Sequence, residues 1–179
     1  MANILLGVTG SAACFKAASC ASQLTQQGHH VQVVLTPMAL EFISCLQFSC
    51  LTKVPAISHD DSELDPAGME HISLARKSDL VLIMPATANT IGQIANGLAN
   101  NLLCTLVLAV KSDVPKLIVP AMNPDMYANA AVQRNLQQLL NDGWQQLGPA
   151  DGVTACQEQG VGRMLETEEV LAAVADILK

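Results

Sequence analysis

Cys156 lies in ACQEQGVGRM, residues 155–164. The stretch is too polar for a strand and too rich in glycine for a stable helix, so it reads as a loop. Structural thiols are usually buried in apolar runs. In a loop bearing Gly160 and Gly162, Cys156 is open to three readings: packing, metal ligation or catalysis. His71 opens a short helical segment after an acidic, breaker-rich stretch. An imidazole there can act as acid or base near neutral pH, or simply be a surface histidine. Asn123 sits in PAMNPDM between an apolar run and a proline. It can cap a helix starting at Pro124, or turn its amide toward a ligand carboxylate.

Further polar positions follow apolar runs. GVTGSAA, 7–13, places Gly10, Ser11 and Ala12 at a strand-to-helix turn. Its backbone N–H groups and the hydroxyls of Thr9 and Ser11 could hold a phosphate, or it is only a tight turn. PATANT, 85–90, supplies Thr87, Ala88, Asn89 and Thr90, as helix cap or ligand contact. Thr36 ends HVQVVLT in the same way. No metal site is expected: there is no CxxC, no HExxH, and His29, His30, His59 and His71 lack ligand spacing. Asp60, Asp61, Glu63 and Asp65 could catch a cation, but read first as acids that keep a loop in water. Lys16 sits too deep in its helix for a Walker motif, and no G-K-[ST] exists, which argues against an ATP motor.

These positions need a scaffold. Apolar runs at 3–8, 30–36, 79–86, 102–110 and 115–121 read as strands, the fourth also as a helix-to-strand element. Helices are expected over 12–27, 37–42, 71–78, part of 89–101, 123–143 and 166–179, with an ambiguous segment at 46–57, a loop at 58–70 and an edge strand at 144–149. Strands alternating with helices, each strand continuously apolar, predict an α/β three-layer Rossmann-like sandwich around a central parallel sheet. Ligands in such folds sit beyond the C-terminal strand ends, where the polar positions cluster.

The 179 residues suit one domain, and half of them are apolar. A net charge of −7, with nine Lys and Arg, argues against a general nucleic-acid surface. Cys14, Cys20, Cys45, Cys50 and Cys104 read as reduced thiols in the cytoplasm, no leader segment is apparent before the first strand, and no apolar run is long enough for a membrane helix.

Five segments taken together resemble the flavin-containing, homo-oligomeric cysteine decarboxylase family. They are GVTGSAACFKA, HVQVVLTPMALEFI, HISLARKSDLVLIMPATANTIGQIANGLANNLL, PKLIVPAMNPDMYANAAVQRNLQQL and ACQEQGVGRMLE. The resemblance is strongest to the members that convert 4'-phosphopantothenoyl-L-cysteine to 4'-phosphopantetheine in coenzyme A biosynthesis. It implies a bound FMN held by Gly10, Ser11, Ala12, Thr36, Thr87, Ala88, Asn89, Thr90 and Ala121. It implies that His71 is the active-site histidine, that Asn123 grips the substrate carboxylate, and that Met126 is the second methionine of the same motif. Residues 149–165 would form a substrate-covering flap on a single domain, 1–179, with Cys156 as proton donor. The implied flavin supplies the electron sink that a cysteine carboxylate lacks: oxidation at the substrate's Cβ permits loss of CO₂, and the resulting enethiolate is then reduced. Homo-oligomers built from trimers are implied, and a phosphopantothenoylcysteine synthetase as a separate partner, since the chain reads as a standalone decarboxylase. Asn100-Asn101-Leu102 departs from the family's Asp-Asn-Leu, and Phe15–Lys16 keeps its aromatic–lysine pair without a tyrosyl hydroxyl. The alternatives are a peptidyl-cysteine oxidative decarboxylase, which lacks the reducing-step cysteine, and a non-catalytic regulatory subunit of the same fold. A flavin prenyltransferase does not suit PAMNPDM or the flap.

Overall fold

The computed structural model describes residues 1–58 and 70–179, the side chains at 70 and 71 excepted. The expected acidic loop falls almost wholly outside the described residues. In chain order the elements are β1 (Asn3–Val8), α1 (Cys14–Gln26), β2 (His30–Leu35), α2 (Pro37–Leu40), α3 (Cys45–Thr52), β3 (Ile57–Ser58), α4 (Glu70–Lys77), β4 (Leu80–Ala86), α5 (Ala88–Ala95), α6 (Leu102–Ala109), β5 (Lys116–Pro120), α7 (Pro124–Ala128), α8 (Ala130–Asn141), β6 (Trp144–Gln146), β7 (Ala150–Val153), β8 (Gln159–Arg163) and α9 (Thr167–Ile177).

The main sheet runs β3-β2-β1-β4-β5-β6, and every pairing in it is parallel. Alternate residues of its central strands enter two separate cores. Ile4, Leu6, Leu80, Leu82, Met84, Leu117 and Val119 pack with α1, α3 and α9. Leu5, Val81, Ile83 and Ile118 pack with α4, α5, α6 and α8. The result is the expected three-layer α/β sandwich. Small residues on the inner face of α1, including Ala17, Ala18, Cys20 and Ala21, are buried. They bring that helix close to the sheet and explain how a chain with few aromatics fills its core.

Three segments differ from the sequence expectation. Residues 102–109 are helical, not a strand. Asn101 Oδ1 accepts the Cys104 N–H at 2.9 Å as an N-cap, and Leu103, Cys104, Leu106 and Val107 are buried while Leu108 is exposed. That burial follows helical spacing, which a run apolar on every side conceals. The single helix expected over 123–143 is divided at Asn129, whose extended ψ of 131° leaves the helix and whose side chain caps α8 by accepting the Ala131 N–H at 2.9 Å. The ACQEQGVGRM stretch is not simply a loop: β7 and β8 form an antiparallel hairpin, with Thr154–Glu158 at its tip. Within the ambiguous 46–57 segment, α3 and the short β3 bracket a turn in which Lys53 has φ 59°.

Strand order reverses between β1 and β4, so loops diverge at the C-terminal ends of these two strands and leave a crevice. Thr9 is fully buried at that point. Its Oγ1 donates to the Pro85 carbonyl at 2.7 Å and accepts the Thr87 N–H at 3.0 Å. The hydroxyl fixes the start of α5 against the end of β1. Among the described residues no helix is long and apolar enough to cross a membrane.

Candidate active site

A cleft of about 650 Å³ opens at the crevice end of the sheet. Its walls come from three places: the β1–α1 turn and first turn of α1, the segment after β5, and the β7–β8 hairpin. Ser11, Ala12, Ala121, Asn123 and Cys156 all line it, so positions far apart in the chain share one space. Thr36 and Thr87 lie at neighbouring strand ends, outside the cleft lining. Each caps a helix, Thr36 by accepting the Ala39 N–H and Thr87 by accepting the Thr90 N–H. Thr90 is buried, and Thr87 Oγ1 donates to its hydroxyl at 3.3 Å. Gly10 lies under Met38, because a Cβ there would come within 2.3 Å of Met38 Cγ. Ala88 and Asn89 form the first turn of α5, and Met126, half exposed, belongs to α7. His71 falls in the first turn of α4 by its backbone.

The beginning of α1 is electrostatically unfinished. Its N-cap position is Ala13, with no side-chain cap and no acid in the first turn. Ser11 Oγ accepts the Ala13 N–H at 3.2 Å, but no acceptor among the described residues takes the N–H of Ser11 or Ala12. Ser11 and Ala12, with the positive dipole end of the thirteen-residue α1 behind them, thus line the cleft with unpaired backbone N–H groups. That donor set suits a phosphate such as the one a flavin mononucleotide carries, while Thr36, Thr87 and Thr90 cap helices at strand ends beside the cleft. Among the described residues no group of His, Cys, Asp and Glu could hold a metal ion.

Asn123 resolves the choice between cap and ligand contact by using its two ends separately. Oδ1 accepts the N–H groups of Asp125 at 2.8 Å and Met126 at 3.3 Å, capping α7. Nδ2 points the other way and donates to Cys156 Sγ at 3.3 Å and to the Glu158 carboxylate. Cys156 is exposed at the hairpin tip. The Thr154 hydroxyl, 3.0 Å from Sγ, and then the Asn123 amide hold its pKa below the usual thiol value, against the opposing charge of Glu158. Burial does the reverse to Cys14, Cys104 and Cys20, pushing the last up to about 12. Cys156 is therefore set apart from these buried thiols by both access and acidity.

The hairpin is seated by backbone contact. Met122 N–H donates to the Gly162 carbonyl at 3.1 Å. A Cβ on Gly162 would lie 2.3 Å from Met122 O, and one on Gly160 would lie 2.9 Å from Pro124 Cβ. These glycines permit close approach of β8 to residues 122–124. At the foot of β8, Lys16 Nζ donates to the carbonyls of Met164 at 3.1 Å and Leu165 at 3.3 Å and pairs with Glu166 at 3.0 Å, while Arg163 also reaches Glu166. Gly162→Ala is expected to lift β8 off this seat. Since a backbone oxygen cannot swing aside as a side-chain end can, Cys156 should become uncoupled from Asn123 and turnover should drop at least roughly tenfold. Faster amide exchange over 159–163 would accompany it; an unchanged exchange pattern with normal turnover would refute the seating role.

The Thr9 hydroxyl, a candidate phosphate contact in the sequence, is instead buried and taken up by Pro85 and Thr87. Thr154 and Glu158 look like solvated polar residues in the sequence until the hairpin folds them against Cys156 and Asn123.

The sequence matches the Flavoprotein family over residues 1–179. The chain belongs to this family. The flavoprotein is 39% identical over 176 residues to a probable phosphopantothenoylcysteine decarboxylase of Streptococcus mutans, covering 98% of each chain. It is 46% identical over 173 residues to the coenzyme A biosynthesis bifunctional protein CoaBC of Vibrio cholerae, covering 95% of this chain but only 42% of that protein. Among solved structures, the flavoprotein superposes on a cysteine-to-serine mutant of PPC decarboxylase complexed with pantothenoylaminoethenethiol, with a TM-score of 0.88, 29% identity and coverage of 99% and 98%. It superposes on the FMN binding protein AtHal3 with a TM-score of 0.84, 30% identity and coverage of 97% and 95%.

Proposed function

We propose that this flavoprotein is an FMN-dependent phosphopantothenoylcysteine decarboxylase, converting 4'-phosphopantothenoyl-L-cysteine to 4'-phosphopantetheine in coenzyme A biosynthesis. The observation that carries the reading is the pairing, over one cleft, of an amide donor on Asn123 with the acidified thiol of Cys156, 3.3 Å apart. A carboxylate acceptor and a proton acceptor on the same substrate would meet these two groups together. The names of the similar proteins support the same substrate and cofactor.

In this reading Gly10, Ser11 and Ala12, with Thr36, Thr87–Thr90 and Ala121, hold FMN, and the free amides at the start of α1 take a phosphate. When bound, the flavin supplies the electron sink for oxidation at the substrate's Cβ and the reducing equivalent for the final step. The protein's own groups do the rest. Asn123 orients the substrate carboxylate, Met126 borders it, and His71 is the acid–base group beside it. Residues 149–165, carrying the hairpin, act as the flap that excludes water, and Cys156 gives its proton to the enethiolate. The chain is proposed to act as one domain, 1–179, in the cytoplasm, in homo-oligomers built from trimers, with a phosphopantothenoylcysteine synthetase as partner. Phe15, Met38, Phe42 and Leu46 are large exposed apolar residues that such assembly would cover.

The test is direct. Purified protein should carry flavin absorbance released by acid as FMN, and should convert phosphopantothenoylcysteine to CO₂ and the saturated thiol. Protein that takes up no FMN on reconstitution and releases no CO₂ would overturn the assignment.

A further inference from the structure

Asn123 Nδ2 is engaged by the protein's own carboxylate: Glu158, two residues beyond Cys156 on the hairpin, accepts its hydrogen bond. The same amide is the donor assigned above to the substrate carboxylate. Two carboxylates cannot share it cheaply, because each repels the other and the amide has only one free proton once Cys156 Sγ takes the second. The position of Glu158 is set independently of that contact. Its carbonyl accepts both the Thr154 N–H at 2.9 Å and the Thr154 hydroxyl at 3.0 Å, closing the hairpin tip so that the side chain projects toward Asn123. Gln157, beside it, takes a left-handed φ of 65° to complete this turn.

We propose that Glu158 is a specificity-determining residue that occupies the Asn123 amide in the free protein and is displaced by the carboxylate of the incoming substrate. The contact has two consequences. It latches the hairpin to α7 while the cleft holds no substrate. It also makes an acceptor able to compete with a carboxylate the condition for entry. No covalent step is involved; one charge-assisted hydrogen bond is exchanged for another. This inference rests on the substrate reading above.

Two arms test it on the flavin-loaded protein. In the first, Glu158→Gln is compared with the original protein in steady-state turnover of phosphopantothenoylcysteine. Removing an exposed competing charge should lower KM roughly three- to tenfold without raising kcat, and should leave inhibition by 4'-phosphopantetheine unchanged. A KM that is unchanged or higher would overturn the proposal. The second arm needs no turnover. Alkylation of Cys156 by iodoacetamide, followed by peptide mass spectrometry, is measured against increasing N-acetyl-L-alanine, a small acyl amino acid with a free carboxylate. Half-protection should occur at a several-fold lower concentration in Glu158→Gln, whereas the neutral N-ethylacetamide should show no difference between the two proteins. Equal half-protection by the carboxylate would overturn the latch whatever the substrate is. Absence of turnover in the original protein, with the expected shift in protection, would overturn the substrate reading and leave the latch standing.

Discussion

Cys156→Ser is expected to abolish formation of the saturated thiol while CO₂ is still released, once per bound flavin unless dioxygen reoxidises it. The side chain stands exposed at the tip of the hairpin, within hydrogen-bond reach of Thr154 and Asn123, and both lower its pKa. A free thiol titrates near about 8.5, already close enough to neutrality for proton transfer, and these two contacts bring it closer. Serine preserves shape and hydrogen bonding, but its proton is far less acidic. Oxidation at the substrate's Cβ and loss of CO₂ do not call on this proton; reduction of the enethiolate does. The variant should therefore release, or retain, an enethiol lighter than 4'-phosphopantetheine by one pair of hydrogen atoms, with flavin absorbance remaining bleached under anaerobic conditions. Mass spectrometry of the product decides it. Normal yield of the saturated thiol at the normal rate would remove Cys156 from the proton-donor role.

How much of this region could be read from the chain depends on the kind of interaction. The βα alternation and the polar strand ends were legible because parallel strands covered on both faces are continuously apolar, and Thr36 and Thr87 mark where they stop. The helix at 102–109 was not, since its apolar residues surround it and only the cap at Asn101 betrays its type. Asn123 left two readings open because an asparagine has an acceptor and a donor; only the fold shows them pointed at different partners. Gly162 could be recognised as special, but not for the right reason. Its need for glycine comes from a backbone oxygen forty residues earlier in the chain, at Met122. Long-range contacts of this kind, like the hydroxyl of Thr9 reaching β4 and the start of α5, leave no local pattern in sequence.

Asn123→Asp should separate the cap from the ligand contact more sharply than any truncation. Aspartate caps helices as well as asparagine does, so the N–H groups of Asp125 and Met126 should keep their acceptor and α7 its start. The other end of the side chain changes from donor to anion. Cys156 Sγ loses a hydrogen bond and gains a negative neighbour, Glu158 is repelled, and a substrate carboxylate meets repulsion in place of an amide. Losing one charge-assisted hydrogen bond and adding a like charge costs about 4 kcal/mol, close to a thousandfold in kcat/KM. Thermal stability should fall only slightly, through the loosened hairpin. Iodoacetamide should modify Cys156 more slowly at a given pH near neutrality, because its thiolate is less favoured, and this comparison requires no substrate. Unchanged kinetics together with an unchanged alkylation rate would mean that Asn123 serves α7 alone, and that the carboxylate must be recognised elsewhere in the cleft.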